Sequence, residues 1–260
     1  MTRVMVISDL HCGHLVGLTP EDWDAKPGEG YGSKAHSFYR MRRDGYRWYQ
    51  KKCEELKPDW VIVNGDCVDG KGKKSGGTEL LTADRNEQCD MAVAVIKETG
   101  AKNVVMSFGT SYHTGVDEDW ERQVAKGVDG HIESEGNLKV HGIVFNYRHF
   151  AGASSIPYGR GTPLAKEAVW NMLWAMRDEY PRADIILRSH VHYFTYIGDA
   201  DYLAISTPGL QGYGSKFGTR IKSNTVDFGV IWFDVEEDGS WGWDWEVKRF
   251  RKKHAFAGEV

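Results

Sequence analysis

An aspartate and a histidine stand two positions apart just after the first short apolar run of the chain. The run from Met5 to Ile7 is typical of a buried β-strand, and Asp9 and His11 follow it. Residues two apart in extended chain point the same way, so a carboxylate and an imidazole at this place can bind one metal ion together. An Asp-x-His triplet alone is a weak indication of such a site.

The same arrangement returns at four later apolar runs, each of which ends in residues that carry oxygen or imidazole ligands. In open α/β sheets, ligands bind at the carboxyl ends of the strands, so we expect all of these side chains along one edge of the sheet. A single histidine at a strand end is usually a satisfied polar group, but that explanation does not account for five such ends. The strand-end residues are Asp9 and His11, Asp66, Thr110 and His113, His149, and His190 and His192.

Carboxylates and imidazoles without thiolates predict a site for manganese, iron, zinc or nickel. The ligands are too numerous for one tetrahedral site, whereas two ions about 3.5–4 Å apart that share a carboxylate would use them all. Such a pair stabilises both the attacking and the leaving oxygen of a displacement at phosphorus. The expected cofactors are therefore two divalent metal ions, with Mn²⁺ preferred over Fe, Zn or Ni.

Alternating strands and helices position these residues as far as His192. We predict strands at 60–64, 103–108, 138–140, 143–147 and 184–187, and helices at 38–56, 86–99, 117–128 and 162–180. Asp117 is the expected N-cap of the third helix, and Pro163 stands at the first turn of the fourth. After His192 the pattern favours antiparallel strands, at 193–197, 202–206, 226–235 and 241–249.

Composition and charge exclude several classes of protein. The 260 residues are 41% hydrophobic and 27% charged, and the net charge of −4 argues against a broad basic face for nucleic acid. No apolar run approaches about 18 residues, so we expect no membrane span. The four cysteines show no paired spacing and the N-terminal apolar run is too short for a signal peptide, so we expect a cytoplasmic protein. A single domain over residues 1–260 is expected, because no repeat or linker is visible.

The motifs resemble, in order and spacing, those of the calcineurin-like metallophosphoesterases, particularly the small stand-alone bacterial or phage type. That family carries D-x-H, G-D-x-x-D, G-N-H, a lone histidine and G-H-x-H in succession. Here the matching segments are Asp9-Leu10-His11, Gly65-Asp66-Cys67-Val68-Asp69, the lone His149, and Ser189-His190-Val191-His192, in which serine replaces the glycine. The resemblance covers nearly the whole chain and implies an α/β (α+β) four-layer sandwich, with two facing mixed β-sheets flanked by helices.

The resemblance also implies a role for each matching residue. A water bridging the two ions, deprotonated at neutral pH, would attack the phosphorus of the substrate. Asp69 and Asn64 are expected behind the ligands, where they would orient them. The implied ligands are Asp9, His11 and His192 for the first ion, His149 and His190 for the second, and Asp66 as the bridge.

The third motif departs from the family. In place of G-N-H the chain has Gly109-Thr110-Ser111-Tyr112-His113. Thr110 can replace the metal-binding asparagine through its hydroxyl, a weaker ligand, with His113 kept as the general acid. Alternatively, His113 itself binds metal and the general acid is unassigned. We favour the first interpretation.

Several residues outside the motifs are candidates for contact with substrate. Arg160 precedes a predicted helix N-terminus, a position suited to a phosphate, and His14 and Tyr112 flank the first and third motifs. Arg42 and Arg43, beside the long loop 14–37, would line a groove or simply begin a solvated helix. The basic segment 248–253 would bind a nucleic-acid backbone or form a solvated tail.

The predicted function is that of a metal-dependent phosphoesterase, most simply a phosphodiesterase that acts on a nucleotide or nucleic acid, as a nuclease does. A phosphomonoesterase acting on nucleotides or phosphoproteins is the alternative within the same chemistry. A binding or scaffold protein that retains the fold without turnover is the alternative of a different class. The altered third motif favours the scaffold, whereas the otherwise full set of metal ligands disfavours it.

Overall fold

The backbone of this protein is organised around two β-sheets. A computed structural model describes residues 1–30, 32–72, 75–115, 119–154, 156–213 and 226–250. Short 3₁₀ turns lie at Glu21–Trp23 and Pro157–Gly159. In chain order the strands and helices are β1 (Thr2–Ile7), α1 (Ser33–Leu56), β2 (Trp60–Asn64), α2 (Arg85–Glu98), β3 (Asn103–Ser107), α3 (Ser111–Thr114), α4 (Trp120–Gly127), β4 (His131–Glu133), β5 (Gly136–Val140), β6 (Ile143–Tyr147), α5 (Thr162–Ala175), β7 (Ile185–Arg188), β8 (Thr195–Gly198), β9 (Leu203–Ser206), β10 (Phe228–Val235) and β11 (Trp241–Lys248).

Both sheets are mixed. Within the described residues the first has the strand order β11-β10-β1-β2-β3-β4 and the second the order β5-β6-β7-β9-β8. The central strands β1, β2 and β3 run parallel to one another, as do β6, β7 and β9 in the second sheet. The carboxyl ends of β1, β2 and β3 therefore lie at one edge of the first sheet, and those of β6, β7 and β9 lie at one edge of the second sheet.

The strands after His192 do not form a purely antiparallel set, as the sequence pattern suggested. β9 is antiparallel to β8 but lies parallel beside β7, and β10 joins the first sheet next to β1. The reason is that β10 is apolar on both faces. Phe228 and Val230 pack toward the helices and Ile231 and Phe233 toward the other sheet, so the strand is buried inside a sheet rather than at its margin.

Alternation of side chains along the strands produces four layers. Val4 and Val6 of β1 pack between the sheets, whereas Met5 and Ile7 point outward into a core that they share with α1 and α2. On the far side of the second sheet, Leu164 and Ala168 of α5 pack on β7 and β9. The expected sandwich of two facing mixed sheets with helices outside is therefore confirmed.

The helices follow the predicted order, with shifted ends. Asp84 caps α2 by accepting the backbone N–H groups of Asn86 and Glu87. The N-cap of α4 is Asp119, and the predicted cap Asp117 lies outside the described residues. α1 begins at Ser33, earlier than predicted, and α5 ends at Ala175, before the predicted end at Tyr180. Among the described helices, none has both the length and the apolar character that a membrane span requires.

Candidate metal centre

The predicted ligands come together, but at the facing edges of two sheets rather than along one. Asp9 and His11 follow β1 and Asp66 follows β2, all in the first sheet. His149 follows β6 and His190 follows β7, in the second sheet. The single edge expected from the sequence is therefore wrong, because a strand pattern does not say to which sheet each parallel pair belongs.

Most of these residues adopt a backbone conformation that side chains seldom take. Asp9, His11, Asp66, His190 and His192 have φ values between 44° and 73°. Left-handed backbone at non-glycine residues costs about 1–3 kcal/mol each and concentrates at functional sites. Here this conformation turns the backbone sharply at the end of each strand, so that the side chains of these residues project toward the space between the sheets.

A first cluster consists of Asp9, His11 and His192, whose ligand atoms all lie within 4.8 Å of one another. Asp9 Oδ1 is 3.1 Å from His192 Nε2 and 3.9 Å from His11 Nε2. The Nδ1 of His11 donates to Asp69 Oδ1 at 3.0 Å, which leaves the lone pair on Nε2 for the cluster. The three side chains therefore present one oxygen and two imidazole nitrogens to a common point.

A second cluster consists of Asp66, His149 and His190. Asp66 Oδ2 lies 3.0 Å from His149 Nε2 and 4.0 Å from His190 Nδ1. His149 donates from Nδ1 to the backbone carbonyl of Asn64 at 2.7 Å, which directs Nε2 inward. The two clusters are neighbours, since His149 Nε2 is also 4.0 Å from Asp9 Oδ1.

Thr110 lies at the second cluster, and His113 does not. The backbone N–H of Thr110 donates to Asp66 Oδ1 at 2.7 Å, and its hydroxyl lies 3.2 Å from the same oxygen. His113 instead groups with His11 and Asp69, and its Nδ1 donates to the backbone carbonyl of Asp69 at 3.0 Å. Burial opposes protonation of His113, but hydrogen bonding to Asp69 and the charge of Asp66 raise its pKa to about 9.

The charges at the centre favour a cation. Burial by itself would raise the pKa of Asp9 and of Asp66, but the imidazoles of His192 and His149 outweigh it and hold both pKa values well below their usual range. Burial likewise opposes protonation of His149, yet the carboxylates of Asp66 and Asp9 raise its pKa to about 10. Two buried carboxylates thus call for compensating positive charge, which a metal ion supplies.

Two buried atoms at the centre test whether a metal fits. Asp9 Oδ1 and His149 Nε2 form no hydrogen bond of good geometry in the described part of the chain. Each lies close to one oppositely charged group, Asp9 Oδ1 at 3.1 Å from His192 Nε2 and His149 Nε2 at 3.0 Å from Asp66 Oδ2. Buried polar atoms are rarely left without a partner. These two belong to different clusters and are both ordinary metal ligands, so the donor set fits divalent ions of the kind predicted.

Glycines next to the aspartates allow the close approach of the motifs. A Cβ on Gly109 would lie 2.2 Å from Asp66 Oδ1, and a Cβ on Gly65, whose φ is +77°, would lie 2.6 Å from the His149 ring. Any side chain at either position would displace a ligand. Space therefore requires a glycine in both motifs, and at Gly65 the left-handed backbone conformation requires it as well.

A buried chain of polar side chains joins the two sheets next to the ligands. Ser107 donates to Asn64 Oδ1, Asn64 donates to Ser189 Oγ, and Ser189 and Ser8 each bond to the Thr207 hydroxyl, at distances of 2.6–2.8 Å. All five residues are at most 2% exposed and lie at the ends of five different strands. The serine that replaces the family glycine, Ser189, is a central member of this chain.

Glu121 is a buried residue that the sequence analysis missed. It lies in the first turn of α4, is fully buried, and accepts the backbone N–H of Cys67 through Oε1 and that of Gly109 through Oε2. One carboxylate thus joins the residue after Asp66 to the residue before Thr110. Burial and the nearby charge of Asp66 raise the pKa of Glu121 to about 7. An acidic residue in the first turn of a helix is common, so no sequence pattern indicates this contact.

The candidate substrate residues have different positions. Arg160 stacks its guanidinium over the ring of Tyr193, next to His192, at 4.5 Å, and the ring of Tyr112 contacts that of His113 at 4.7 Å. His14 is buried, with Nδ1 accepting the backbone N–H of Val16, so its ring lies inside the fold rather than on an open wall. Phe150 lies beside the second cluster and is 57% exposed, with its ring centroid 5.2 Å from that of His190.

The two arginines beside the long loop are structural. Arg42 is buried, donates to Asp24 Oδ1 from both Nε and Nη2, and donates to the carbonyl of Leu15. Arg43 is also buried and pairs with Glu21. The expectation that they line a substrate groove is therefore wrong, because their charges are used to fasten the loop to α1.

Comparison with known proteins gave similarity in structure only. No family model matches the chain, and no curated protein does. Similar solved structures include an archaeal phosphodiesterase (11% identity, 95% of this chain and 100% of that chain, TM-score 0.49). They also include the zinc complex of Vps29 from Entamoeba histolytica (13% identity, 95% of this chain and 99% of that chain, TM-score 0.46). A third is a conserved uncharacterised protein, a predicted phosphoesterase, from Streptococcus pneumoniae TIGR4 (11% identity, 95% of this chain and 98% of that chain, TM-score 0.38).

Proposed function

We propose that this chain is a metallophosphoesterase of the calcineurin-like type that hydrolyses a phosphodiester of a nucleotide or nucleic acid with two divalent ions, Mn²⁺ being the first choice. The observation that carries the proposal is the convergence of two Asp-His-His clusters, each with residues from both sheets and each with a buried ligand atom that lacks a hydrogen bond of good geometry within the described residues. His11, Asp69 and His113 form a further group of the same type beside them. Structural roles do not require two such clusters side by side.

The chain's own residues hold and shape the centre. Asp9, His11 and His192 would hold one ion, and Asp66, His149 and His190 the other, with Thr110 adding its hydroxyl beside Asp66. Bound divalent ions lower the pKa of a coordinated water to near neutrality and neutralise phosphate oxygens. Asp66 is the proposed bridge, the role that the resemblance gives to the aspartate of the second motif. Its Oδ2 lies 3.0 Å from His149 Nε2, which is 4.0 Å from Asp9 Oδ1 of the first cluster.

His113 is the proposed general acid. Its Nδ1–H donates to the Asp69 carbonyl. Because the pKa of His113 is raised to about 9, the protonated imidazole also carries a proton on Nε2, and this proton is the one available to a leaving oxygen. Asp69 also fixes His11 through its carboxylate, and one residue therefore sets the orientation of both the acid and a ligand. A positioned general acid contributes about 10²–10⁴-fold to a rate.

Two features beside the centre support a nucleotide or nucleic-acid substrate. The exposed ring of Phe150 next to His190 offers a surface on which a base can stack. The guanidinium of Arg160, over Tyr193 and close to the last motif, suits a second phosphate.

The test compares substrates on one metal-loaded protein. We expect Mn²⁺-loaded protein to hydrolyse a chromogenic phosphodiester faster than the matching monoester, and Asp66→Asn and His192→Ala to abolish that turnover. His131→Ala is the matched control, because His131 is exposed and pairs only with Glu133 among the described residues. A screen of nucleic acids, cyclic nucleotides and phosphoproteins then identifies the substrate class.

Two other outcomes would replace the proposal. Faster hydrolysis of the monoester would make the protein a phosphomonoesterase. Metal uptake without hydrolysis of either ester would favour the scaffold function. Failure to bind any divalent ion would contradict the metal centre itself.

A further inference from the structure

Helix α5 carries large apolar side chains on the face that points away from the sheets. Val169, Trp170, Leu173 and Met176 are 51%, 43%, 43% and 82% exposed, and Met172 is 38% exposed. The opposite face, with Leu164, Ala168 and Asn171, is buried on the second sheet. The helix is therefore apolar on both sides, although its outer side meets solvent in the described part of the chain.

The exposed side chains form one continuous stripe, which we call the α5 outer face (Val169, Trp170, Met172, Leu173 and Met176). Their spacing of three and four residues places them along one side of the helix. No acidic residue interrupts the stripe, and the one acid on the helix, Glu167, points inward to Arg148 and Arg188. Contiguous exposed apolar surface of this kind marks an interaction site, and its core lacks charge, as in interface centres.

The α5 outer face is held rigidly. Asn171 donates from its side chain to the carbonyl of Pro181 and accepts the backbone N–H of Ala183, just before β7. On the outer side, the indole rings of Trp170 and Trp174 stack at 5.8 Å. A rigid surface loses little conformational entropy when it docks.

The charges at the two ends of the stripe are opposite. Exposed Lys166 lies one turn before Trp170. Exposed Arg177, Asp178 and Glu179 follow the end of the helix; together they carry a net negative charge, with Arg177 Nη1 4.0 Å from Glu179 Oε1. If a second α5 packs antiparallel on the first, the lysine end of each helix meets the acidic end of the other. The two helix dipoles are then also antiparallel, which is the favourable arrangement.

We propose that the α5 outer face is the dimer interface of this protein, and that its occupant is the same face of a second copy of the chain. A twofold axis near Met172 and Leu173 brings Val169 of one copy toward the Met176 end of the other. The Lys166 end of each copy then faces the acidic end of its partner. Such an isologous contact is the commonest form of homodimer. The interface lies on the outer layer and is independent of the proposed hydrolysis.

Sedimentation velocity of the full-length protein tests the interface. We expect the wild-type protein to form a dimer that dissociates on dilution. Leu173→Glu should raise the dimer Kd more than about 100-fold, because the twofold axis places the substitution in the interface twice. Leu173→Met should change the Kd little. An unchanged thermal melt for Leu173→Glu would show that the variant is folded. A wild-type protein that stays monomeric at all concentrations would overturn the proposal.

Cross-linking identifies the face directly. The native cysteines are all buried and free, so an introduced cysteine is the reactive one. Leu173→Cys should form an intermolecular disulfide on mild oxidation, whereas Tyr196→Cys, on exposed β8, should not. A dimer that cross-links equally at both positions, or that Leu173→Glu leaves intact, would place the contact elsewhere and contradict the proposal.

A charge exchange tests whether the partner is a second copy in the antiparallel direction. Lys166→Glu should raise the dimer Kd by up to about tenfold, and adding Glu179→Lys should restore it, since exposed ion pairs contribute a few tenths to 1 kcal/mol each. Loss of dimer without restoration would contradict the antiparallel arrangement. Binding of monomeric wild-type protein to phosphatidylcholine vesicles, abolished by Leu173→Glu, would instead assign the face to a membrane surface and overturn the proposal.

Discussion

Thr110 and His113 lie at two separate places of the candidate site, whereas the resembled family has an adjacent Asn-His pair. The single helical turn α3 separates them. Thr110 is its N-cap, but the Thr110 side chain makes no capping hydrogen bond and lies beside Asp66 instead. His113, at the end of the turn, reaches the Asp69 side of the centre. The oxygen and the imidazole therefore serve different sides of the same site.

Replacement of His113 separates the two interpretations of the third motif. We expect His113→Ala to retain both ions, measured by elemental analysis, and to slow turnover by about 10²–10⁴-fold. The reason is that Asp9, His11 and His192 form one cluster and Asp66, His149 and His190 the other without His113. His113 lies at the side, with its Nδ1 bonded to the Asp69 carbonyl, although it also forms a possible ligand group with His11 and Asp69. Loss of one ion per chain in this variant would make His113 a ligand and leave the acid unassigned.

At the scale of elements, α4 fixes the loops that carry Asp66 and Thr110. Glu121 accepts one backbone N–H from each loop, and no other residue type of that size offers two equivalent acceptors. A helix that contributes no ligand therefore sets the distance between the second and third motifs.

We expect Glu121→Gln to lower the free energy of unfolding by about 1–3 kcal/mol, because the amide group would present a donor to one of the two N–H groups and leave it unsatisfied. Urea denaturation of metal-free protein measures the change. Glu54→Gln, exposed on α1, is the control and should have little effect. Equal stability of the two variants would show that Glu121 does not support the loops.

The chain of polar side chains between the sheets gives a second prediction at this scale. Ser189→Ala removes a group that accepts from Asn64 and bonds to Thr207. Because Asn64 and Thr207 retain other partners, we expect a loss of only about 1 kcal/mol, seen as a lower urea midpoint. Ser134→Ala, exposed between β4 and β5, is the control. An unchanged urea midpoint for Ser189→Ala would show that the hydrogen bonds of Ser189 do not stabilise the fold.

At the scale of the whole molecule, the candidate metal centre lies between the two sheets. Residues that follow β1 and β2 share the site with residues that follow β6 and β7. Bound ions would therefore hold together two layers that otherwise meet through the apolar core. An ion that binds the folded chain alone adds stability in proportion to its occupancy.

Metal removal should therefore destabilise the protein measurably. At a Mn²⁺ concentration 100 times Kd, a single site adds about 2.7 kcal/mol, and we expect the melting temperature to rise with added Mn²⁺ and fall again with chelator. Asp9→Asn should reduce the shift, because it removes the charge of one ligand, whereas His131→Ala should retain it. A melting temperature unaffected by Mn²⁺, Fe²⁺, Zn²⁺ and Ni²⁺ alike would contradict the centre.

The sequence by itself determined the elements and the ligand types. Apolar runs that end in Asp9, Asp66, His149 and His190 are local features, because a strand and the turn that follows it are set by neighbouring residues. The residue types were sufficient to predict the chemistry of the donors, and the resemblance that the motifs carry implied two facing mixed sheets.

Only the tertiary structure decided which strand ends face each other. Sheet membership depends on contacts between residues far apart in sequence, so the placing of β9 beside β7 was not visible in any local pattern. The meeting of Asp9 with His192 was expected from the family resemblance alone, and no local pattern contained it. The same holds for Arg42 and Glu121, whose charges pair with distant groups inside the fold. A side chain's type shows what it can bind, whereas its partner is fixed by packing.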